Sequence, residues 1–333
     1  ITVFNNSKGG FNMSKYTMTF DRVGFSELGD KMLNLDLLSN SGYEKITFDL
    51  SKLKFVTPSG LCYLIASIQT LTNIIGKENF EIIMPNNNST NNYLTRMNFL
   101  ETLGLKDDNY INKNDCSNRL IELQKISMTD RCDWQITENL TNVLESQLPV
   151  NNQGILKAVS YAIGEIVDNT LRHSQSPIGG YICAQTYPNK NKLEICIIDC
   201  GIGIVESLKV ENDVHKEKIS KFKSDSEFIQ YSIEKGVTSK TQQKFGETGH
   251  SGEGLFFTSE FIKENNGRMK VISDNGMLLI DSKVGIQLSE TQHHWQGTIV
   301  MLEFNLDVPV IVKDIFDREI PLDPEEYDLD DLF

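Results

Sequence analysis

The chain of 333 residues is 39% hydrophobic and 23% charged, as is typical of a soluble globular protein long enough for two cores. Its formal net charge of -14 argues against nucleic acid and anionic membranes as partners, because both bind basic surfaces. No apolar run approaches the ~20 residues of a transmembrane helix, and the start at Ile1 lacks the pattern of a secretory signal. We therefore expect a cytoplasmic protein without a membrane partner.

The first third of the chain alternates strand-like and helix-like segments. Short runs with the strand period cover 15–20, 45–50 and 80–85, and an apolar stripe with the helix period covers 61–75. This alternation predicts a small α/β domain over 1–115, including an N-terminal extension.

The turn before this helix resembles one known family. Asp49 ends a strand, and the segment from Thr57 through Pro58, Ser59 and Gly60 opens the helix, as in the STAS domain of anti-anti-sigma factors. In that family the serine before the glycine is phosphorylated, so the resemblance implies Ser59 as a phosphoacceptor. Thr57-Pro58 departs from the Asp-Ser pair of the family. The other interpretation is that Ser59 caps the helix by accepting a hydrogen bond from a free backbone N–H.

The middle of the chain connects this domain to a second one. The pattern over 116–133 is weak, which suits a linker or a first strand, and a helix is predicted over 134–148. The next helix begins near Gln153 and places Glu165 and Asn169, four residues apart, on the face opposite its apolar stripe. Such a polar face alone is typical of any surface helix.

Two glycine-containing motifs follow this helix. A hairpin predicted over 180–186 and 193–198 runs directly into Asp199-x-Gly201-x-Gly203, where glycine lets the backbone turn sharply and approach a ligand closely. After a polar, lysine-rich stretch, Gly249-x-x-Gly252-x-Gly254-Leu255 opens another helix, whose N-terminal N–H groups could face a phosphate. Neither motif has the context of a dinucleotide-binding or Walker loop.

The order of these motifs resembles that of the GHKL ATPases, the superfamily of gyrase, MutL, histidine kinases and anti-sigma-factor kinases. The matching parts are Glu165-x-x-Asp168-Asn169, the two glycine motifs and Gly297-Thr298 on a late strand. The resemblance covers 134–306. It implies an α/β sandwich of the Bergerat fold that binds ATP and Mg²⁺.

The resemblance also implies a role for each matching residue. Glu165 is the catalytic candidate, because its counterpart activates water in the hydrolytic branch and a protein serine in the kinase branch. Asn169 would bind Mg²⁺, and Asp199 would accept a hydrogen bond from the adenine amino group. Lys240 would reach the γ-phosphate as a point charge, although the lysines of this region also suit a solvated helix face. The remaining candidates for ATP binding are Asp168, Gly201, Gly203, Gly249, Gly252, Gly254, Leu255 and Thr298.

An acidic tail over 307–333 ends the chain, and its composition suits either a disordered segment or a motif that docks on a basic partner. We expect a regulatory protein whose slow Mg-dependent ATPase cycle controls a protein partner or a homodimer. The partner would bind through the STAS-like domain or the tail. Two alternatives stay open: a serine kinase with a STAS-type substrate, and a nucleotide-sensing adaptor without turnover. Ser59 favours the kinase, and Pro58 opposes it.

Overall fold

The computed structural model describes residues 2–6, 15–106, 119–127, 153–210, 215–237 and 253–319, together with the helical positions 138, 142 and 145. It is a mixed α/β structure: an N-terminal parallel sheet with helices precedes a five-stranded antiparallel sheet that packs against helices. Within these ranges, no helix is both long enough and apolar enough to cross a membrane.

The N-terminal domain follows the predicted strand and helix alternation. Its elements are β1 (Thr2–Asn6), β2 (Lys15–Thr19), β3 (Arg22–Val23), α1 (Leu35–Asn40), β4 (Lys45–Asp49), β5 (Phe55–Val56), α2 (Pro58–Ile75), β6 (Phe80–Ile83), α3 (Asn88–Arg96) and α4 (Phe99–Thr102). The main sheet has the order β1-β2-β4-β6, with β2, β4 and β6 parallel and β1 antiparallel at the edge. The strands predicted at 15–20, 45–50 and 80–85 and the helix predicted at 61–75 are confirmed.

The C-terminal domain is built on the antiparallel sheet, whose strand order is β10-β11-β9-β8-β7. Its elements are β7 (Leu120–Ile126), α5 (Gln153–His173), β8 (Gly180–Tyr187), β9 (Lys192–Asp199), α6 (Gly203–Val210), α7 (Lys216–Ile219), α8 (Asp225–Ser232), α9 (Gly254–Glu264), β10 (Arg268–Asp281), β11 (Gly285–Asn305) and α10 (Val312–Glu319). The predicted hairpin is β8–β9, and the predicted helices that begin near Gln153 and at the Gly249 motif are α5 and α9. Within 116–133, where a linker or a first strand was open, residues 120–126 form a strand, because β7 pairs with β8 and belongs to this sheet. The predicted helix at 134–148 lies outside the described residues except at the three positions named above.

Both faces of the antiparallel sheet are covered. Along β9, Leu193, Ile195 and Ile197 point into a core shared with α5, α9 and α10, whereas Cys196 and Ile198 point into a core shared with α2. The two domains therefore meet through a continuous hydrophobic core.

Helix α2 lies between the two sheets, and this position explains a difference from the sequence prediction. A single apolar stripe was expected, but every residue from Pro58 to Ile68 is buried. A helix that is buried all round needs apolar or small residues on every side. The run of Leu61, Cys62, Tyr63, Leu64, Ile65 and Ala66 meets that requirement.

Candidate functional site

Helix α5 carries the first candidate cluster near its C-terminal end. Its predicted core stripe is buried against the sheet, and Glu165 and Asn169 are half-buried on the other side, as the helical spacing predicts. Asp168 is buried and forms an ion pair with Arg172, one turn further along the helix. Its carboxylate therefore holds an arginine on the same face as the candidate site.

Glu165 lies directly against the first residue of α9. A Cβ atom placed on Gly254 would come within 2.3 Å of Glu165 Oε2 and 2.7 Å of Glu165 Cβ. Only glycine therefore permits this approach. Burial raises the pKa of Tyr161, and the negative charges of Glu165 and Glu253 add to that rise, so both carboxylates lie near its hydroxyl. Two of the sequence clusters are thus in contact.

Asp199 ends β9 on the helical side of the sheet and is 6% exposed. Its carboxylate accepts hydrogen bonds from the backbone N–H groups of Gly201, at 2.9 Å, and of Thr298. Burial raises the pKa of Asp199 to about 7, and the two N–H groups oppose that rise. Thr298, a sequence candidate for ATP binding, thus contacts Asp199 through its backbone.

The loop after Asp199 is held at both ends by close backbone contacts. A Cβ atom on Gly201 would lie 1.7 Å from the carbonyl oxygen of Ser174, just beyond α5, and the Ile202 N–H donates to that oxygen at 2.7 Å. Gly203 has a φ of +73°, in the left-handed region that favours glycine. The second cluster is thereby attached to the end of the helix that carries the first.

Ser273 of β10 holds the far end of this loop. Its hydroxyl accepts from the Ile204 N–H and donates to the Gly297 carbonyl oxygen, both at 2.8 Å. Gly297 in turn has a φ of +110°, and a Cβ atom there would lie 2.3 Å from the Asp199 carbonyl oxygen. Ser273 therefore joins the start of α6 to the strand segment that contacts Asp199.

Ser59 lies in the contact between α2 and β9, and not at the accessible position that its motif suggests. It is fully buried, and its hydroxyl and backbone N–H donate to Glu194 Oε1 of β9, at 2.7 and 3.2 Å. The Thr57 hydroxyl donates to the same oxygen at 2.6 Å. The N-cap of α2 is Thr57, not Ser59, so the predicted capping role of Ser59 is wrong. The anion at this helix N-terminus is a carboxylate from the other domain.

Several predicted site residues fall elsewhere. Leu255 is half-buried in the first turn of α9 and packs against the helical core. Lys240, Gly249 and Gly252 lie outside the described residues, as does the acidic tail from residue 320 onward. The predictions for these residues stay predictions.

Sequence reasoning missed four residues: Ser174, Ser273 and Trp295, which hydrogen-bond to the Asp199 segment, and Glu194, which accepts hydrogen bonds from the start of α2. Ser174 and Ser273 act through single hydroxyl or carbonyl groups and carry no sequence signal. Glu194 did carry one, because a charged residue interrupts an otherwise apolar strand, Leu193 to Ile198. Trp295 lies two positions before Gly297 of the Gly297-Thr298 pair.

Comparison with models of known protein families gives no match, and comparison with curated proteins gives none either. The contacts described above are therefore the basis for a functional proposal.

Proposed function

We propose that the protein is a Mg²⁺-dependent ATP-binding switch of the GHKL type with slow ATPase activity, fused to a STAS-like domain. One observation carries the proposal. The Glu165, Asp199 and Gly254 clusters, separated by up to 89 positions in the sequence, are joined around α5 through the Glu165–Gly254 and Gly201–Ser174 contacts. These helices pack on four antiparallel strands, β8 to β11. This layout is consistent with the resemblance to the GHKL ATPases.

Asp199 suits the recognition of adenine. A carboxylate accepts about four hydrogen bonds, and among the described residues Asp199 accepts two, both from backbone N–H groups. The remaining capacity fits a donor such as the exocyclic amino group of adenine, which guanine lacks at the same position. ATP is therefore the expected ligand, and GTP would leave a buried acceptor unpaired at a cost of ~1–3 kcal/mol.

The α5 and α9 ends suit a phosphate and a hard cation. Gly254 begins α9 without a side chain of its own, which lets Glu165 lie against it, and the first N–H groups of a helix are suited to phosphate. Asn169, half-buried on α5, would supply an amide oxygen to Mg²⁺. When bound, Mg²⁺ would offset the charge of the phosphates and complete its coordination with their oxygens and water.

Glu165 is the residue that would make the protein an enzyme. Its carboxylate is half-buried, is held on a helix, and lies against the N-terminus of α9. A carboxylate in that position can accept a proton from a water molecule, and such general-base assistance contributes ~10²–10⁴ in rate. Replacement of Glu165 should therefore reduce turnover more than affinity.

The geometry around Ser59 disfavours phosphorylation of the protein's own STAS-like domain. Glu194 Oε1 already accepts three hydrogen bonds at the position a phosphate would need, and the hydroxyl is fully buried. A phosphate beside a buried carboxylate would meet strong repulsion. We therefore place hydrolysis ahead of an intramolecular kinase reaction.

The test follows free phosphate and protein-bound label after incubation of the full chain with Mg²⁺ and γ-labelled ATP. Glu165→Gln is expected to lower phosphate release by ~10²-fold or more while ATP affinity stays within a few-fold, and Asn169→Ala is expected to lower affinity. Glu101→Gln, on an exposed position of α4, is the matched control. Absence of ATP binding by the wild-type chain would overturn the proposal. Label that disappears in Ser59→Ala would replace the ATPase with the kinase.

A further inference from the structure

Strand β11 leaves its regular pairing with β10 twice. Thr298 pairs with Ser273, but the next pairs are Trp295 with Asp274 and Glu290 with Gly276. Two extra residues, 296–297, therefore bulge between the first two pairs, and a longer bulge over 291–294 follows. Bulges re-aim side chains and occur next to functional sites.

The first bulge places two donors on Asp199. The Thr298 backbone N–H donates to the Asp199 carboxylate, and Trp295 Nε1–H donates to the Asp199 carbonyl oxygen at 3.1 Å. The Trp295 side chain and the Thr298 backbone N–H, on either side of the bulge at 296–297, therefore both contact Asp199.

The Trp295 ring also contacts the N-terminal domain. Its ring packs against the ring of Tyr63 on α2, with centroids 5.4 Å apart, and both side chains are fully buried. The Tyr63 hydroxyl accepts a hydrogen bond of 2.6 Å from the Leu33 N–H, just before α1. Trp295 therefore has one end in each domain.

A second contact links the same helix to the motif loop. Thr70 of α2 lies 3.3 Å, from its hydroxyl oxygen to Sγ, from Cys200, the residue that follows Asp199. Helix α2 thus contacts the Asp199 segment from behind at two points, directly through Thr70 and by way of Trp295.

We propose that Trp295 is a positioning residue through which the N-terminal domain sets the affinity of the nucleotide site. This inference rests on the proposed function. A shift of α2 moves Tyr63, and a dense core transmits that shift to Trp295 and so to Asp199. By reciprocity, ATP binding changes the position of α2. A partner that binds the N-terminal domain can respond to that change.

Two conservative variants separate this role from simple core packing. Trp295→Phe keeps an aromatic ring but removes the N–H donor, and Tyr63→Phe keeps the ring contact but removes the hydroxyl acceptor. Tyr181→Phe, at a buried tyrosine of β8 in the same core, is the matched control. Titration calorimetry of the full chain with Mg-ATP between pH 6 and 9 gives the affinity and its pH profile, and a thermal melt gives the stability.

Trp295→Phe is expected to weaken ATP binding roughly fivefold or more, Tyr63→Phe by a smaller factor, and Tyr181→Phe not at all. The two effects should be less than additive in the double variant, because both act through one chain of contacts. The loss of a donor beside Asp199 should also move the pH midpoint of binding upward, which a packing defect would not do.

The outcomes distinguish the two proposals. A wild-type chain that binds no nucleotide overturns the proposed function itself. A wild-type chain that binds ATP while Trp295→Phe binds equally well, with the same pH midpoint, overturns only the role of Trp295. A loss of affinity that merely follows a lower melting temperature, with an unchanged midpoint, overturns that role as well. Should Trp295→Phe fail to fold, Tyr63→Phe decides in the same way.

Discussion

Strand β9 contains two buried acids, and they face opposite sides of the sheet. Glu194 is 1% exposed on the side of the N-terminal domain, and Asp199 is 6% exposed on the side of the helices. Glu194 Oε1 accepts three hydrogen bonds, and Glu194 Oε2 lies 3.6 Å from Lys192 Nζ. Asp199 accepts two backbone N–H groups within the described residues and has a raised pKa.

This difference separates a structural acid from one suited to a ligand. The donors around Glu194 are hydroxyl groups and an N–H of another domain, so its charge stabilises an interface. The donors around Asp199 come from the turn and the bulge next to it, and they leave the charged form poorly stabilised. A buried acid with a strongly shifted pKa is a candidate for function, and a fully hydrogen-bonded one is not.

The largest expected effect is at Glu194. Glu194→Ala leaves the hydroxyls of Thr57 and Ser59 and one N–H without their acceptor, and leaves Lys192 paired with Glu303 alone. We expect the free energy of unfolding to fall by roughly 3–5 kcal/mol, measured by urea denaturation. Glu194→Gln keeps one acceptor oxygen and should cost about 1–2 kcal/mol. Equal stability of wild type and Glu194→Ala would show that this acid does not hold the interface.

Asp199→Asn should change the free energy of unfolding in the opposite direction: it should stabilise the folded chain where Glu194→Ala destabilises it. The folded-state pKa of Asp199, about 7, lies above its ordinary value of 3.8. The folded chain therefore holds its proton more tightly, and the stability contributed by the neutral acid is lost as the pH rises from about 4 to 7. The shift corresponds to a ceiling of about 4 kcal/mol, from which a weaker hydrogen-bond acceptor subtracts ~1–2 kcal/mol.

Unfolding experiments at pH 4 and pH 8 measure this effect. Between pH 4 and pH 8, the stability of Asp199→Asn relative to wild type should rise by up to about 4 kcal/mol. The variant should then be more stable than wild type by roughly 2 kcal/mol at pH 8, and it should lose ATP affinity. If Asp199→Asn is less stable than wild type at pH 8, Asp199 is a structural acid like Glu194, and the two acids do not differ in role.

Lys270 of β10 is a buried cation on the side of the sheet that faces the N-terminal domain, and it allows the same kind of test as the two acids. It is 6% exposed, and its ammonium group donates to the carbonyl oxygens of Phe25 and Leu28, at 2.6 and 3.0 Å. Burial lowers the pKa of Lys270 to about 8, against the opposing charge of Asp30. Since the unfolded chain binds this proton more tightly, stability should rise with pH between 8 and 10.

The free energy of unfolding is compared between wild type and Lys270→Met, because other groups also titrate between about pH 8 and pH 10. The free energy of unfolding of wild type minus that of Lys270→Met should increase by roughly 1–2 kcal/mol from pH 8 to pH 10. A difference that is constant over this range would mean that Lys270 is charged and well solvated in the folded chain.

The sequence was sufficient for most of the described strands and helices. Short alternating or β-rich runs predicted β2, β4 and β6, and the predicted hairpin covers β8 and β9. The spacing of Glu165 and Asn169 predicted their shared helix face. The N-terminal domain was predicted as an ordinary α/β layer, and no pattern in the sequence indicated that α2 lies between two sheets.

The contacts that join the domains could not be predicted in this way. They depend on which residues meet across long separations, such as Ser59 with Glu194 and Tyr63 with Trp295. Local periodicity carries no information about such pairs. The bulge at 296–297 was not predicted either, although an isolated glycine inside a strand, here Gly297, is a signal of a bulge.

His294 gives the smallest expected effect and tests whether the second bulge of β11 also joins the domains. Its Nε2 lies 3.2 Å from Asp274 of β10, and its Nδ1 lies 3.2 Å from Asp36 of α1. The hydrogen bond to Asp274 raises the pKa of His294, so its stabilising effect is present below the ordinary histidine pKa and is lost as the pH rises through the raised value. The side chain is one-third exposed and Asp36 more so, and solvent screening therefore limits the effect to about 0.5 kcal/mol. His294→Gln should be less stable than wild type by this amount at pH 6 and equally stable at pH 9. Asp36→Asn should remove part of the same pH dependence if α1 contributes to it, and no part if the histidine responds to β10 alone.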